Sequence, residues 1–297
     1  MIEAKYKLTE ESVVVNGKTF YRIEALKDFD NVKKGDKGGF IENKNNLSQY
    51  NNCWVFDNAK VYGNAEVFDN AKVYGNAEVF DNAKVYGNAE VYNRAEVYDN
   101  AKVCGSTKVF YNAEVYGDAV VRGNAIIYDN AKISGDAWIF GNAKVHGDAV
   151  VCGDAAVCNN SEVYGNAVIY GKAIIYEDAV ICGNTVVYDN AEVYGNAVIC
   201  DNAKIYGNAM VYRNAIVRGN AWVFGNAIVR ESAVVRGNAI IYENVEVYGK
   251  AEICGNAEVS GYAKVYGSAK VFDNAKIYGK AVVDDNAVVC DNVEVRC

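Results

Sequence analysis

The stretch "AKVYGNAEVFDNAKVYGNAEVF", residues 59–80, repeats its apolar letters every six residues and its charges every twelve. Six-residue units, called hexads below, continue without insertion or deletion from Ala59 to Val293, which makes forty hexads. The first place in a hexad is nearly always Ala, and the third is always Val or Ile. An internal period of this kind predicts a repeat architecture.

Each hexad has the pattern of a short strand followed by a bend. Ala-x-Val-x alternates between inward and outward places, and the β-branched third residue suits a pleated wall. The last two places are mostly Gly-Asn or Asp-Asn, residues that tolerate positive φ and form tight corners. The chain contains no Pro, so every backbone N–H of the repeat is free to join a ladder.

The charge pattern indicates how many strands make one circuit. The second place of each hexad faces outward, where like charges on neighbouring strands are unfavourable. With eighteen residues per circuit, ten pairs of opposite charge stack against three pairs of like charge, whereas circuits of twelve or twenty-four residues gain no excess of opposite pairs. The sequence therefore predicts an all-β fold, a single-stranded three-sided parallel β-helix whose interior is filled with Val, Ile and Ala.

The residues before the repeat predict a separate small element. They alternate like strands, and Asn16-Gly17 is a two-residue hairpin signal. We expect a small N-terminal β cap over residues 1–50 and the hexad β-helix over residues 51–297. "KKGDKGG" at residues 33–39 lacks the spacing of a phosphate-binding loop and predicts a Gly-rich turn.

Composition excludes several classes of function. No apolar run is long enough to span a membrane, and the N-terminus lacks the pattern of a secretory signal. A net charge of -8 argues against a broad electrostatic grip on nucleic acid. Nine cysteines without CxxC spacing predict neither a disulfide framework nor a metal site, and seven of them stand at outward hexad places. We expect a cytoplasmic protein whose hexad cysteines lie at the surface.

Two stretches resemble a known family. Val-Tyr-Gly-Asn-Ala-Glu at residues 61–66 is similar to the hexapeptide repeat of left-handed, LpxA-like β-helices. Residues 28–55 resemble the lead-in of the YdcK-type family of bacterial and prophage hexapeptide-repeat proteins. That likeness rests on Asp28-Phe29, Val32-Lys33, Gly35, Gly38-Gly39-Phe40, Asn46-Leu47-Ser48 and Cys53-Trp54-Val55. The resemblance implies a left-handed coil, and family members are often labelled transferases from the fold alone.

The same resemblance implies one enzymatic alternative. Hexapeptide acyltransferases use a His as general base, with coenzyme A held in a cleft between subunits. The chain has one histidine, His146, which would be that base with Glu162 orienting it. The residues themselves favour a structural role for His146, as one planar ring in an aromatic row. It stands at an outward place usually held by Tyr, eighteen residues from Tyr128 and Tyr164. We predict no catalytic residue and no cofactor outside this alternative, and one histidine excludes a three-histidine zinc site.

Aromatic residues recur at the fourth place of the hexads, for example Tyr62, Phe80, Tyr98 and Tyr116. Stacked at strand spacing they predict ladders that stabilise the coils. A platform on which sugars or bases stack stays open as an alternative.

Outward second places are charged near both ends of the repeat and apolar through its middle. A contiguous apolar belt with an arginine border is typical of a protein interface. The predicted interaction surface comprises Val168, Val180, Val186, Val198, Ile216, Arg218, Trp222, Phe224, Val234, Arg236 and Ile240.

The features together predict a rigid, non-enzymatic scaffold or protein-interaction module. We expect a homo-oligomer, a dimer or trimer, or else a complex with another protein, formed through the apolar belt. Nucleic acid and membranes are not expected partners. An acyl-CoA-dependent acyltransferase with His146 as base is the alternative.

Overall fold

A computed structural model describes residues 3–15 and 17–297. The chain divides into two compact units, Met1–Gly147 and Asp148–Cys297, which we call unit 1 and unit 2. In each unit, two-residue strands pair in parallel with the strand eighteen residues later, as Lys60 does with Glu78 in unit 1. The all-β class and the three-sided coil of eighteen residues are thus confirmed, while the left hand of the coil stays a prediction.

An antiparallel hairpin precedes the repeat. Strand β1 (Tyr6–Val15) pairs with β2 (Lys18–Ala25), and its register shifts once between Leu8 and Ser12. Gly17 adopts the positive φ, 77°, that the predicted turn requires. The other residue of that signal, Asn16, lies outside the described residues.

A third strand joins the hairpin to the first coil. Strand β3 (Lys37–Ile41) is antiparallel to β2 and parallel to Lys60–Val61, and a 3-10 helix over Lys44–Asn46 follows it. The close approach needs glycine, because a Cβ on Gly39 would lie 2.6 Å from the carbonyl oxygen of Ala59. The hairpin therefore extends one face of the first coil, and a domain boundary near residue 50 stays a prediction.

Unit 1 has three parallel sheets. The first contains, after β3, Lys60–Val61, Glu78–Val79, Glu96–Val97, Glu114–Val115 and Lys132–Ile133. The second contains Glu66–Val67, Lys84–Val85, Lys102–Val103, Val120–Val121 and Trp138–Ile139. The third contains Trp54–Val55, Lys72–Val73, Glu90–Val91, Lys108–Val109, Ile126–Ile127 and Lys144–Val145.

Unit 2 also has three sheets, each named here by a characteristic residue type. The valine face contains Glu162–Val163, Val180–Ile181, Val198–Ile199, Ile216–Val217, Val234–Val235, Glu252–Ile253, Lys270–Val271 and Val288–Val289. The tryptophan face contains Val150–Val151, Val168–Ile169, Val186–Val187, Lys204–Ile205, Trp222–Val223, Ile240–Ile241, Glu258–Val259, Lys276–Tyr278 and Glu294–Arg296. The methionine face contains Ala156–Val157, Ile174–Ile175, Glu192–Gly195, Met210–Arg213, Ile228–Glu231, Glu246–Val247, Lys264–Val265 and Val282–Val283.

The interior consists of the first and third hexad places, as the alternation predicts. Ala197 and Ile199, for example, are both 0% exposed. Polar residues at the first place have hydrogen-bond partners. The hydroxyl groups of Thr107 and Thr185 each donate a hydrogen bond, 2.6 Å long, to the carbonyl three residues earlier. No buried side-chain nitrogen or oxygen within residues 3–15 and 17–297 lacks a hydrogen-bond partner.

The corners hold a contact that the sequence patterns did not reveal. The fifth hexad place has positive φ whether it is Gly or not, with φ 52° at Asp57 and 65° at Asp201. The carboxylate of Asp57 accepts a hydrogen bond from the N–H of Gly75 (3.0 Å), and that of Asp201 accepts one from Gly219 (2.9 Å). An acidic corner residue thus satisfies a backbone donor one coil later.

The predicted stacking of opposite charges is confirmed in register. Lys60 pairs with Glu78 at 2.7 Å, for example. Register does not by itself fix the ion pair, because Lys72 lies in register with Glu90 but pairs with Asp30 of the lead-in at 2.7 Å. The lead-in therefore contributes its own ion pair to the first coils.

Candidate interaction surface

A row of β-branched side chains runs along the valine face of unit 2. Val180, Val198, Ile216 and Val234 pair in register on four successive strands. Each of the four is half-buried, because the rows on neighbouring coils and at the adjacent hexad places shield it. The row presents a flat apolar stripe, which we call the valine stripe.

The fourth hexad place beside the valine stripe holds two thiols and then two guanidinium groups. Cys182, Cys200, Arg218 and Arg236 occupy it on the same four strands. Burial, followed by the charges of Asp201 and Cys182, raises the pKa of the Cys200 thiol to about 11. This row therefore has thiols at one end and guanidinium groups at the other.

The two arginines differ in their partners. Arg236 binds the carboxylate of Glu252, with Nη2 lying 2.6 Å from Oε1, and this contact raises the pKa of the guanidinium. Sixteen residues after Arg218 stands Val234, which offers no acceptor. Arg218 is exposed, and no carboxylate in the described part of the chain pairs with it.

An asparagine ladder borders the other side of the fourth-place row. Each side chain donates an amide hydrogen bond to the one eighteen residues later, at 2.9 Å from Asn166 to Asn184 and 3.0 Å from Asn202 to Asn220. The ladder runs through Asn166, Asn184, Asn202, Asn220, Asn238, Asn256, Asn274 and Asn292. The sequence pattern predicts only a turn-forming role for these residues.

The rest of the predicted surface lies on the tryptophan face. Val168, Val186 and Ile240 are half-buried there, and Trp222 is 38% exposed. The ammonium group of Lys204 lies over the Trp222 ring, 4.7 Å from its centroid.

Phe224, also on the tryptophan face, is held inside a ladder. Its ring stacks between those of Tyr206 and Tyr242, with centroids 4.6 Å and 5.2 Å away. The structure thus distributes the predicted surface over two faces, with Val180, Val198, Ile216, Val234, Arg218 and Arg236 sharing the valine face.

The aromatic rows form ladders with few free ring faces. Phe80 stacks between Tyr62 and Tyr98, with centroids 5.0 Å and 4.9 Å away and ring planes within 4°. Inside such a ladder a neighbouring ring covers each face, so ring edges point outward. A ligand that stacks on a ring face would find one only at the end of a ladder.

His146, the candidate base of the enzymatic alternative, lies at the end of unit 1. Its ring stacks on Tyr128 with centroids 4.4 Å apart, and its Nδ1 lies 3.9 Å from Oδ2 of Asp129. Glu162, which the resemblance assigned to orient it, belongs to unit 2. The contact with Asp129 was not expected from the sequence.

The cysteines lie close to their predicted places. All nine are free, and six of the seven hexad cysteines are half-buried, while Cys158 is buried at 7% exposure against the expectation of a surface position.

Among the described residues, no group of three or more His, Cys, Asp and Glu side chains is arranged to hold a metal ion. The described residues also form no helix of the length and apolarity that crossing a bilayer requires.

Comparison with known proteins gives one match. The family model described as YdcK beta solenoid repeat matches residues 203–219, a segment that contributes one strand to each of the three sheets of unit 2. No curated protein matches the chain. The eighteen-residue coils of three parallel sheets and this match together show a β-solenoid that carries a YdcK-type repeat over residues 203–219.

Proposed function

We propose that this protein is a non-enzymatic β-solenoid scaffold that binds a second copy of itself through the valine stripe of unit 2. The observation that carries the proposal is the uninterrupted row of four β-branched side chains, Val180, Val198, Ile216 and Val234, on successive strands. Elsewhere in the repeat the same hexad place commonly holds Lys or Glu. An apolar row at a charged place favours burial against another surface.

A second copy suits this surface because of its period. Strands of a parallel sheet lie about 4.8 Å apart, so the valine stripe has a ridge and a gap at every coil. A second valine stripe has the same spacing, and two of them interdigitate over several coils as paired sheets do in dry interfaces. A two-fold arrangement uses the same patch on both chains and closes at a dimer.

The borders of the stripe also favour a specific contact. Arg218 is exposed beside Ile216 without an acidic partner among the described residues of its own chain, whereas Arg236 is neutralised by Glu252. A polar rim with an available guanidinium group around an apolar centre is the usual anatomy of protein interfaces. Arginine is also enriched among the residues that contribute most to binding.

Oligomeric state tests the proposal directly. We expect wild-type protein to sediment as a dimer and Val198→Lys plus Val234→Lys to sediment as a monomer, because two ammonium groups would have to lose their water inside the contact. The matched control is Ile174→Lys plus Ile228→Lys, which places the same charges at the same hexad place on the methionine face. The control should stay dimeric, and circular dichroism should show that both variants fold.

A monomeric wild type, or a control that dissociates as readily as the valine-face variant, would contradict the proposed surface. The acyltransferase alternative has one supporting observation, the carboxylate of Asp129 near Nδ1 of His146 at 3.9 Å. Turnover of acetyl-coenzyme A that His146→Ala abolishes, with folding intact, would favour the enzyme over the scaffold.

A further inference from the structure

Two cysteines of the valine face are neighbours across adjacent strands. Cys182 and Cys200 are eighteen residues apart, and no other two cysteines of the chain have this separation. Each follows a residue of a registered pair, Ile181 and Ile199, and the N–H of Cys182 donates to the carbonyl of Ile199 at 2.9 Å. The two side chains therefore project side by side from equivalent places.

The spacing at this hexad place is known from the aromatic ladders. In unit 2, rings at the fourth place of successive coils have centroids 4.6 Å to 5.2 Å apart. Parallel in-register side chains keep nearly the strand spacing of about 4.8 Å between their Cβ atoms, whereas a disulfide needs roughly 3.5–4.5 Å. The place therefore favours two separate thiols over a bonded pair.

A linear sulfur–metal–sulfur bridge fits the same spacing. Metal–thiolate bonds are about 2.3 Å long for zinc, and two collinear bonds of that length span roughly 4.6 Å. Thiolate ligands select soft cations such as Cu(I), whose filled d shell accepts two-coordinate linear geometry. Two ligands are too few for zinc, which takes four.

The surroundings suit the charge of such a complex. Binding follows 2 RSH + Cu⁺ → [Cu(SR)₂]⁻ + 2 H⁺, so the bound centre carries one negative charge. Arg218 occupies the next coil in the same row, exposed and without a carboxylate partner in the described chain. Its guanidinium is therefore available to neutralise the centre, while the Val180 and Val198 side chains flank the thiols.

We propose that Cys182 and Cys200 form a two-coordinate site for a soft monovalent cation, with Cu(I) as the natural occupant and Arg218 as its counter-charge. The site lies within one chain and does not depend on the proposed self-association. Binding releases two protons, so the affinity for the cation increases with pH.

A chelator competition tests the site. Cu(I) is offered anaerobically as its bicinchoninate complex, and we expect wild-type protein to remove one equivalent per chain, with X-ray absorption showing two sulfur neighbours. Cys182→Ser and Cys200→Ser should each remove none. The matched controls are Cys104→Ser and Cys254→Ser, which change half-buried cysteines at the same hexad place whose neighbouring coils hold no cysteine.

Three further measurements complete the test. Silver(I), which is not subject to oxidation, should give the same stoichiometry, and Arg218→Glu should shift the Cu(I) competition curve toward weaker binding. Alkylation and intact mass should show both thiols free in the isolated protein. A disulfide between them, retention of the equivalent by Cys182→Ser, or its loss in a control variant would overturn the proposal.

Discussion

Glu96 lies in the middle of three glutamates stacked on successive coils of unit 1, between Glu78 and Glu114. The outer two have cations, because Lys60 binds Glu78 at 2.7 Å and Lys132 binds Glu114 at 2.9 Å. Burial, and then the carboxylates of Glu114 and Glu78, raise the pKa of Glu96. This row contains two of the three like-charge pairs that an eighteen-residue circuit places on neighbouring strands.

A missing hydroxyl group explains part of the difference between Glu96 and the two glutamates on either side of it. Tyr62 donates a hydrogen bond to the carboxylate of Glu78 from sixteen residues earlier, at 3.0 Å, and Glu114 receives an equivalent bond. The residue sixteen before Glu96 is Phe80, which has no donor. One ring substitution therefore leaves the central carboxylate without the donor that its neighbours have.

Glu96→Gln is expected to stabilise the protein at neutral pH. The pKa of Glu96 is higher in the folded than in the unfolded state, so the folded state binds more protons between the two values, and stability falls as pH rises through that window. We expect a gain of roughly 0.2–1 kcal/mol in the free energy of unfolding at pH 7 and almost none at pH 3. Urea denaturation at both pH values measures it.

Glu78→Gln is the matched control for that change. It removes a paired carboxylate, so it should lower stability at pH 7. Equal effects of the two substitutions would contradict the assignment of Glu96 as the uncompensated acid.

Phe80→Tyr should supply the missing donor. The ring keeps its stacking on Tyr62 and Tyr98, and the new hydroxyl reaches Glu96 as that of Tyr62 reaches Glu78. We expect a gain of about 0.5–1.5 kcal/mol at pH 7 and a lower Glu96 pKa in an NMR titration. An unchanged pKa would show that the hydroxyl does not reach the carboxylate.

The join between the N-terminal hairpin and the first coil includes a close backbone contact at Gly39. A Cβ on Gly39 would meet the Ala59 carbonyl oxygen at 2.6 Å, so β3 reaches its place beside Lys60–Val61 only with glycine there. The buried ammonium group of Lys5 adds a second attachment, 2.8 Å from the carbonyl oxygen of Cys53. Both contacts attach the hairpin to the repeat.

Gly39→Ala should loosen this attachment. Forcing a methyl group against the backbone costs about 1–3 kcal/mol, and hydrogen exchange should accelerate in β3 and at Lys60–Val61 while unit 2 is unaffected. Gly17→Ala is the comparison, because a Cβ at Gly17 meets nothing within 4 Å and its cost comes from positive φ alone. Equal exchange in both variants would contradict a steric role for Gly39.

Self-association should appear in the thermal stability of the entire chain. A contact between folded copies stabilises the native state by mass action, so Tm should rise with protein concentration. We expect this rise in wild type and in the methionine-face control, Ile174→Lys plus Ile228→Lys. Val198→Lys plus Val234→Lys should have a Tm independent of concentration. Calorimetry over a hundredfold concentration range measures the difference, and a concentration-independent wild type would contradict the dimer.

Much of the candidate site could be located from the sequence, since a strict period gives each residue its face. The rows of Val198 and Trp222 lie where the eighteen-residue count predicts. The eighteen-residue period did not show which residues of the predicted surface have partners. Phe224 is covered by an aromatic ladder. Arg236 is neutralised by Glu252, whereas Arg218 has no carboxylate partner in the described chain. Whether a residue has a partner depends on how far its side chain extends toward the neighbouring coil.

The hexad and the charge alternation by themselves determined the coil, its three sides and its Val/Ile and Ala interior, because strand periodicity and charge pairing act between residues at fixed separations. Only the tertiary structure decided how the lead-in attaches through Gly39 and Lys5, how Asp201 satisfies the N–H of Gly219, and that Lys72 binds Asp30. Those contacts join residues through space at distances and angles that no period encodes.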